Sequence, residues 1–97
     1  MKVLGLIPTR LGSTRLPSKP LLEINGIPLI IHTYKRAMLS KKFDDIIICC
    51  DDKKILNVAK KFKAKCVLTS KHHNNGTERI TEVLLKQKNS YDLIVDI

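Results

Sequence analysis

The sequence has few aromatic residues and no long apolar run. It contains no tryptophan, and its two tyrosines and two phenylalanines are scattered over 97 residues. Single-stranded nucleic-acid-binding modules stack bases on grouped aromatic side chains, so this scarcity argues against that class. No apolar stretch approaches the roughly 18 residues that cross a membrane, and the amino terminus lacks the cleavage site of a secretory signal. We therefore expect a cytoplasmic protein with neither a nucleic-acid partner nor a membrane partner.

Cysteine is also scarce. The three cysteines, Cys49, Cys50 and Cys66, cannot all pair with one another, and none stands at metal-ligand spacing. Cys49 and Cys50 are neighbours in a predicted strand, so their side chains should point to opposite faces of the sheet. This pattern favours small buried apolar residues in a reducing compartment.

Acidic residues are half as numerous as basic ones, 9 against 18, which gives a net charge of +9. Only four of the basic residues are arginines, and the lysines are scattered as ordinary surface residues. Two arginines, Arg10 and Arg15, lie within one six-residue stretch. The planar guanidinium matches phosphate oxygens in a way that the point charge of lysine does not. The arginines are therefore more informative than the net charge, and they indicate phosphate recognition.

Four short apolar runs rich in Val, Ile and Leu predict buried β-strands. They span residues 2–8, 45–50, 66–69 and 93–97. Residues 21–24 form a further short extended segment, and the Asn25-Gly26 pair that follows is typical of a tight turn.

Apolar residues at helical spacing predict three helices between these strands. The first has Pro28 as its first helical residue and ends near Ser40, the second is capped by Asp51 or Asp52, and the third begins near Thr77. The predicted apolar faces are Ile30, Ile31, Tyr34, Ala37 and Met38, then Ile55, Val58, Ala59 and Phe62, then Ile80, Val83 and Leu84.

This alternation of strands and helices predicts an α/β fold, a mostly parallel sheet with right-handed crossovers and helices on both faces. The chain ends on a strand, whereas such sheets usually continue. We therefore expect residues 1–97 to be a fragment that forms part of one domain.

A basic loop follows the first predicted strand. Its polar residues are Arg10, Ser13, Thr14, Arg15 and Lys19. Gly12 lets backbone amides approach an anion closely, and each charge-assisted hydrogen bond contributes about 1.5–3 kcal/mol. The spacing matches neither the Walker loop nor the G-x-G-x-x-G fingerprint. Two interpretations remain open, a triphosphate site and a solvated loop that Pro17 and Pro20 only stiffen.

A second polar loop follows the third strand, at the same carboxyl edge of the predicted sheet, where ligands bind in such folds. It contains Ser70, His72, His73, Asn74, Asn75, Gly76, Thr77 and Arg79. The histidines could join Cys66 in a metal site, but without a second spaced pair we interpret them as plain polar residues.

Four further residues have alternative interpretations. Asp51 and Asp52 either cap a helix or contribute to a magnesium or ribose contact. His32 is interpreted as a packed or partly exposed helical residue rather than a catalytic one. Arg79 either pairs with Glu78 or touches a ligand.

Several motifs, taken in order, resemble one enzyme family. They are Ile7-Pro8-Thr9-Arg10, the run from Ser13 to Leu21, Asn25-Gly26 with Pro28, His32 and Arg36-Ala37, Asp51-Asp52, and His73 with Gly76-Thr77-Glu78-Arg79. Together they resemble the 3-deoxy-manno-octulosonate (Kdo) cytidylyltransferases, or CMP-Kdo synthetases. The first motif is shared with acylneuraminate and spore-coat-type cytidylyltransferases, whereas the last resembles the Kdo branch. Thr9 and Ser18 stand where the family usually has alanine and glycine.

The resemblance implies a fold and a reaction. The fold is the Rossmann-like three-layer α/β/α arrangement of nucleotide-diphospho-sugar transferases, of which this chain would be the nucleotide-binding N-terminal portion. The reaction transfers CMP from CTP to the anomeric hydroxyl of Kdo or a related acidic sugar and releases pyrophosphate, for lipopolysaccharide biosynthesis. The alternatives are a nucleotide-binding domain without catalysis and a cytidylyltransferase for another acidic sugar.

The resemblance also implies roles for individual residues. Arg10, Arg15 and Lys19 would neutralise the triphosphate as the catalytic cations. The nucleotide-binding set would be Pro8, Arg10, Ser13, Arg15, Lys19, Thr69, Gly76, Thr77 and Arg79. The family uses Mg²⁺, whose aspartate ligand is expected beyond Ile97, so no metal ligand is expected within the chain. The full-length form is expected to be a homodimer, and the 97 residues alone are expected to release no pyrophosphate.

Overall fold

The computed structural model of the chain describes residues 1–11, 19–69 and 91–97. Its elements are β1 (Val3–Thr9), a 3₁₀ turn (Lys19–Leu21), β2 (Glu23–Ile24), β3 (Ile27–Pro28), α1 (Leu29–Leu39), β4 (Asp45–Cys50), α2 (Lys53–Lys61), β5 (Cys66–Leu68) and β6 (Leu93–Asp96). The four predicted long strands are confirmed to within one residue at each end. The third predicted helix, from near Thr77, lies outside the described residues. Neither described helix is long and apolar enough to cross a membrane.

The main sheet has the order β5-β4-β1-β6, and every neighbouring pair is parallel. β1 lies in the middle, with Leu6 in register with Ile47 of β4 on one side and with Asp96 of β6 on the other. A short antiparallel hairpin, β2–β3, stands apart from this sheet. The predicted Rossmann-like α/β architecture is confirmed.

Side chains of β4 alternate between two apolar clusters on opposite faces of the sheet. Ile48 and Cys50 pack with the cluster that contains α1 and α2, whereas Ile47 and Cys49 pack with Leu4, Leu6, Val67 and Tyr91. Burial of one large aliphatic side chain contributes roughly 1.5–3 kcal/mol, so both faces stabilise the sheet. The prediction that Cys49 and Cys50 point in opposite directions is confirmed.

The hairpin and the start of α1 follow from local turn chemistry. Asn25 and Gly26 have φ angles of 55° and 77°, the left-handed pair that a two-residue hairpin turn requires. Pro28 pairs with Glu23 and has an extended ψ of 144°, so α1 begins at Leu29. The prediction of Pro28 as the first helical residue was therefore wrong by one position.

The buried face of α1 is narrower than its apolar pattern predicts. Ile30, Ile31 and Ala37 are buried, but the Met38 side chain is 58% exposed. Met38 borders an open groove with Tyr34 and Phe62 instead of packing between helix and sheet, which explains why helical spacing mispredicted it.

The N-terminus of α2 is capped by Asp52, whose Oδ1 accepts a hydrogen bond of 2.8 Å from the Lys54 backbone N–H. Such a cap typically contributes about 1 kcal/mol. Ile55 and Ala59 are fully buried, and Val58 and Phe62 pack against the same cluster. Between the two aspartates that the sequence offered, the structure assigns the cap to Asp52.

Acidic side chains hold the strands together at the amino end of the sheet. Asp45 at the start of β4 accepts a 2.7 Å hydrogen bond from the Tyr91 hydroxyl and pairs at 3.2 Å with Lys65 Nζ. The Tyr91 hydrogen bond lowers the pKa of Asp45, and Lys65 lowers it further, while partial burial opposes both. Asp44 Oδ2 accepts from the Val3 backbone N–H at 2.6 Å. The carboxyl end of the sheet therefore remains free of these structural acids.

Candidate functional site

The chain reverses its direction across the sheet at β1. From β1 it passes to β4 and then β5 on one side, and it returns as β6 on the other side of β1. In open α/β sheets, ligands bind in the crevice that such a reversal leaves outside the carboxyl ends of the strands. The fold alone thus places a candidate site between the ends of β1 and β6.

A cavity of about 330 Å³ lies at this point. The lining residues come from the end of β1, the 3₁₀ turn, the first turns of α1 and the end of the described chain: Ile7, Pro8, Thr9, Arg10, Lys19, Pro20, Leu29, Ile30, Thr33 and Ile97. Its volume lies at the lower end of the range of small-molecule sites.

Two exposed cations, Arg10 and Lys19, line this cavity. Arg10 directly follows β1, and Lys19 begins the 3₁₀ turn. None of the described side chains in the lining carries a carboxylate. The cavity is therefore suited to an anionic group, and it brings together Pro8, Arg10 and Lys19 from the predicted set.

Thr9 is accommodated at the rim of this cavity. Its side chain is 6% exposed, and its hydroxyl donates to the Ile7 carbonyl at 3.3 Å. A buried hydroxyl with a hydrogen-bond partner avoids most of the cost of burial. This bond explains how β1 accommodates threonine at a position where the family that the sequence resembles usually has alanine.

Asp51 holds the start of the basic loop against the end of β4. Its Oδ1 accepts a hydrogen bond of 3.2 Å from the backbone N–H of Leu11, the last residue that the structure describes in this loop before Lys19. The sequence placed Asp51 among helix caps or ligand contacts, and this anchoring role was missed. No spacing rule could have found it, because the bond joins residues 40 positions apart.

Thr69 lies at the same edge of the sheet but not in the same cavity. Its backbone N–H and its hydroxyl donate to the Cys50 carbonyl at 2.7 and 3.0 Å, which fixes the end of β5 to that of β4. It lines a second cavity of about 420 Å³, with Asp51, Asp52, Lys53, Lys54 and Leu68. The described residues therefore form two neighbouring cavities along the carboxyl edge.

Other predicted positions lie outside the described residues. Ser13 and Arg15 fall within 12–18, and Gly76, Thr77, Arg79 and both loop histidines fall within 70–90. In the described ranges, no three His, Cys, Asp or Glu side chains are grouped so that they could hold a metal ion.

Cys66 is unsuited to reactive thiol chemistry. Its Sγ lies 3.3 Å from that of Cys50. This contact and burial both raise the pKa of the Cys66 thiol, so it stays protonated and inert. This agrees with the interpretation of the cysteines as small buried residues.

Sequence reasoning also missed the helical wall of the first cavity. Leu29, Ile30 and Thr33 line it from the first turns of α1. Their spacing marks one side of a helix, but only the packing of α1 beside the end of β1 shows what that side faces.

Comparisons with known proteins identify the family of the chain. A family model described as cytidylyltransferase matches residues 4–97. The chain belongs to the cytidylyltransferase family. Within the family it is 44% identical, over its whole length, to an 8-amino-3,8-dideoxy-manno-octulosonate cytidylyltransferase from Shewanella frigidimarina, of which it covers 40%. It is 46% identical, again over its whole length, to a 3-deoxy-manno-octulosonate cytidylyltransferase from Fusobacterium nucleatum, of which it covers 39%.

A solved structure shares the fold of this cytidylyltransferase chain closely. It is described as CMP:2-keto-3-deoxy-manno-octonic acid synthetase complexed with CTP, and it superposes with a TM-score of 0.92 at 35% identity. The match covers the whole chain and 39% of the solved one. The chain thus spans about 40% of the length of the curated relatives that it matches.

Proposed function

We propose that residues 1–97 are the CTP-binding portion of a cytidylyltransferase that transfers CMP to the anomeric hydroxyl of Kdo or a related acidic sugar. The observation that carries the proposal is the cavity at the β1–β6 reversal, where Arg10 and Lys19 are the charged side chains of the described lining. The matched relatives are named for Kdo and for its 8-amino derivative, which supports an acceptor of this class.

In this mechanism the cations bind the triphosphate and stabilise the charge that develops on the leaving pyrophosphate. Arg10 and Lys19 act from the two ends of the loop, and Arg15, which lies between them in the sequence, completes the set of cations. The sugar hydroxyl attacks the α-phosphorus in line, so no protein nucleophile is needed. Fixed cations that stabilise the charge of the transition state more than that of bound CTP lower the barrier. Cations that bound CTP and the transition state equally tightly would not accelerate this step.

Most of the remaining predicted residues would bind the nucleoside. Pro8 and Thr69 at the strand ends, with Gly76, Thr77 and Arg79 from the second polar loop, are proposed to contact ribose and cytosine. The Ser13 hydroxyl is proposed to donate to the phosphates instead. Backbone amides and small side chains suit this role because they approach the ring edges closely.

Mg²⁺ is a proposed cofactor of the whole enzyme, but the described residues do not fit a site for it. Asp51 and Asp52 follow β4 at this edge, and each accepts a backbone N–H. No group of three potential ligands exists in the described ranges. The steps assigned to Arg10 and Lys19 therefore involve no metal held by these residues.

We extend the proposal to the complete enzyme and to the activity of the chain alone. The complete enzyme would act in the cytoplasm as a homodimer, in lipopolysaccharide or related surface-polysaccharide synthesis. The chain itself would bind CTP without releasing pyrophosphate from CTP and Kdo, since it spans only 40% of the Shewanella relative.

Calorimetric titration of the 97-residue chain with CTP, UTP, ATP and GTP in magnesium buffer tests the proposal. We expect selective CTP binding, which Arg10→Ala weakens about tenfold, the lower end for a charge-assisted hydrogen bond because Arg10 is exposed. Arg36→Ala is the matched control, since Arg36 is exposed on α1 and does not line the cavity. Equal affinity for all four nucleotides, or equal weakening by both substitutions, would contradict the proposal.

A further inference from the structure

Residues 19–28 form one connected unit that joins Lys19 to α1. Lys19 lines the cavity beside Arg10, which is called the cationic cavity below. The 3₁₀ turn that begins with Lys19 is closed by a 3.1 Å hydrogen bond from the Leu22 backbone N–H to the Lys19 carbonyl. The Leu22 carbonyl accepts at 2.7 Å from the Leu29 backbone N–H, the first residue of α1. The turn also packs directly against α1, so Lys19 is joined to the helix both by this packing and through the hairpin.

The hairpin itself buries little apolar surface. The side chains of Leu22 and Ile24 are 48% and 52% exposed. Its two strands contain two residues each. A two-stranded hairpin of this size is marginal by itself, so its position depends on contacts with the rest of the chain.

His32 supplies such a contact from the second turn of α1. Its Nε2 lies 2.9 Å from the Ile24 carbonyl oxygen. A carbonyl oxygen only accepts hydrogen bonds, so Nε2 is the donor. Among the residues that the structure describes, no other side-chain hydrogen bond joins α1 to the hairpin.

The neighbours of His32 in the helix form the opposite wall of the cavity. Ile30 and Thr33 line it from α1, while Lys19 and Pro20 line it from the 3₁₀ turn. The His32–Ile24 bond connects α1, which forms one wall, to the hairpin, which follows the 3₁₀ turn that forms the other wall. It is therefore placed to set the distance between Lys19 and the helical wall.

We propose that His32 is a positioning residue for nucleotide binding, which fixes the β2–β3 hairpin against α1 and thereby holds Lys19 toward the triphosphate. The inference rests on the proposed CTP-binding function. A binding group that is already held in place loses less conformational freedom when the ligand binds. If Lys19 were no longer held in place, binding would also have to order its side chain, and the affinity for CTP would fall.

The test compares His32→Leu and His32→Gln in the 97-residue chain, each with native and with alanine-substituted Lys19. Leucine removes the donor, and we expect it to raise the Kd for CTP about three- to tenfold, the range for one hydrogen bond. Glutamine can donate from its amide nitrogen, and we expect a Kd within about twofold of the native value. In Lys19→Ala, His32→Leu should change the Kd by less than about 1.5-fold, because the two residues act in one chain of contacts.

Tyr91→Phe is the matched control for a merely structural effect. It removes a hydrogen bond at the amino end of the sheet, far from the cavity, and should lower the Tm while leaving the Kd for CTP unchanged. Hydrogen exchange at residues 22–27 should be faster in His32→Leu and native-like in His32→Gln.

The possible failures can be told apart. Absence of selective CTP binding by the native chain would overturn the proposed function, and the inference with it. If the native chain binds CTP but His32→Leu leaves the Kd unchanged, only the inference is wrong. It is also wrong if His32→Leu raises the Kd by the same factor with and without Lys19, since His32 would then not act through that side chain.

Discussion

The contact between Tyr91 and Asp45 gives a stability prediction whose sign can be worked out as a function of pH. The Tyr91 hydroxyl donates to Asp45 Oδ2 at 2.7 Å, and the Asp45 side chain is only 22% exposed. Hydrogen bonds to a charged acceptor contribute about 1.5–3 kcal/mol when well shielded. Because Asp45 is partly solvated and retains Lys65, we expect Tyr91→Phe to cost about 1 kcal/mol at pH 7. For a domain of this length, that loss lowers the Tm by about 4–8 °C.

The effect should depend on pH in one direction. The hydrogen bond from Tyr91 lowers the pKa of Asp45 below its ordinary value of 3.8. A carboxyl whose pKa is depressed by folding adds stability that is present above the unfolded pKa. This stability is lost as the pH falls through the folded pKa. The difference between native chain and Tyr91→Phe should therefore be full at pH 5–7 and shrink below about pH 3.8.

Urea unfolding followed by circular dichroism at several pH values measures this difference. Lys65→Ala is the control, because the Lys65 side chain is 65% exposed and such a pair contributes at most about 0.5 kcal/mol. A Tyr91→Phe effect that stays constant down to pH 2, or one no larger than that of Lys65→Ala, would refute the reasoning.

Substitutions at two further positions test the packing and the capping near the site. A Cβ at Gly5 would lie 2.8 Å from Ile97 Cδ1 and 3.0 Å from Phe43 Cδ1, so Gly5→Val should lower the unfolding free energy by about 1–3 kcal/mol, and Gly5→Ala by less, in the same urea assay. If both Gly5 variants had the unfolding free energy of the native chain, that would argue against this close approach. Asp52→Ala removes the cap on Lys54 N–H and should cost about 1 kcal/mol, whereas Asp52→Asn, which can still accept that bond, should cost little. Equal losses in the two Asp52 variants would contradict the capping role.

Local patterns predicted the strands well because their information is contained in adjacent residues. Residues 45–50 alternate between two buried faces, and β4 spans those same positions. The Asn25-Gly26 turn follows from φ angles that few other residue pairs adopt. Helix limits were less certain, since Pro28 is equally compatible with the last extended residue and the first helical one.

Long-range packing explains what the sequence did not reveal. Met38 fits the apolar spacing of α1, yet whether it is buried depends on how α1 sits beside α2, where an open groove remains. The same holds for Asp51, whose anchoring of Leu11 depends on the parallel pairing of β1 with β4. Arg10 and Lys19 could be placed together because both flank one loop, whereas Thr33 required knowledge of the helix that faces that loop.

The separation of Thr69 from the cationic cavity bears on how one nucleotide could use both predicted loops. Thr69 follows β5, which lies two strands from β1, so the ends of these strands are about 10 Å apart at the usual strand spacing. A nucleoside triphosphate is long enough to span that distance. With the phosphates beside Arg10 and Lys19, its nucleoside would pass Pro8, lie over the end of β4 and reach the second cavity. Asp51 lines the second cavity and ties the start of the basic loop to β4. Two adjacent cavities along one edge are therefore the arrangement expected if the charged and the uncharged parts of one ligand are bound by different loops.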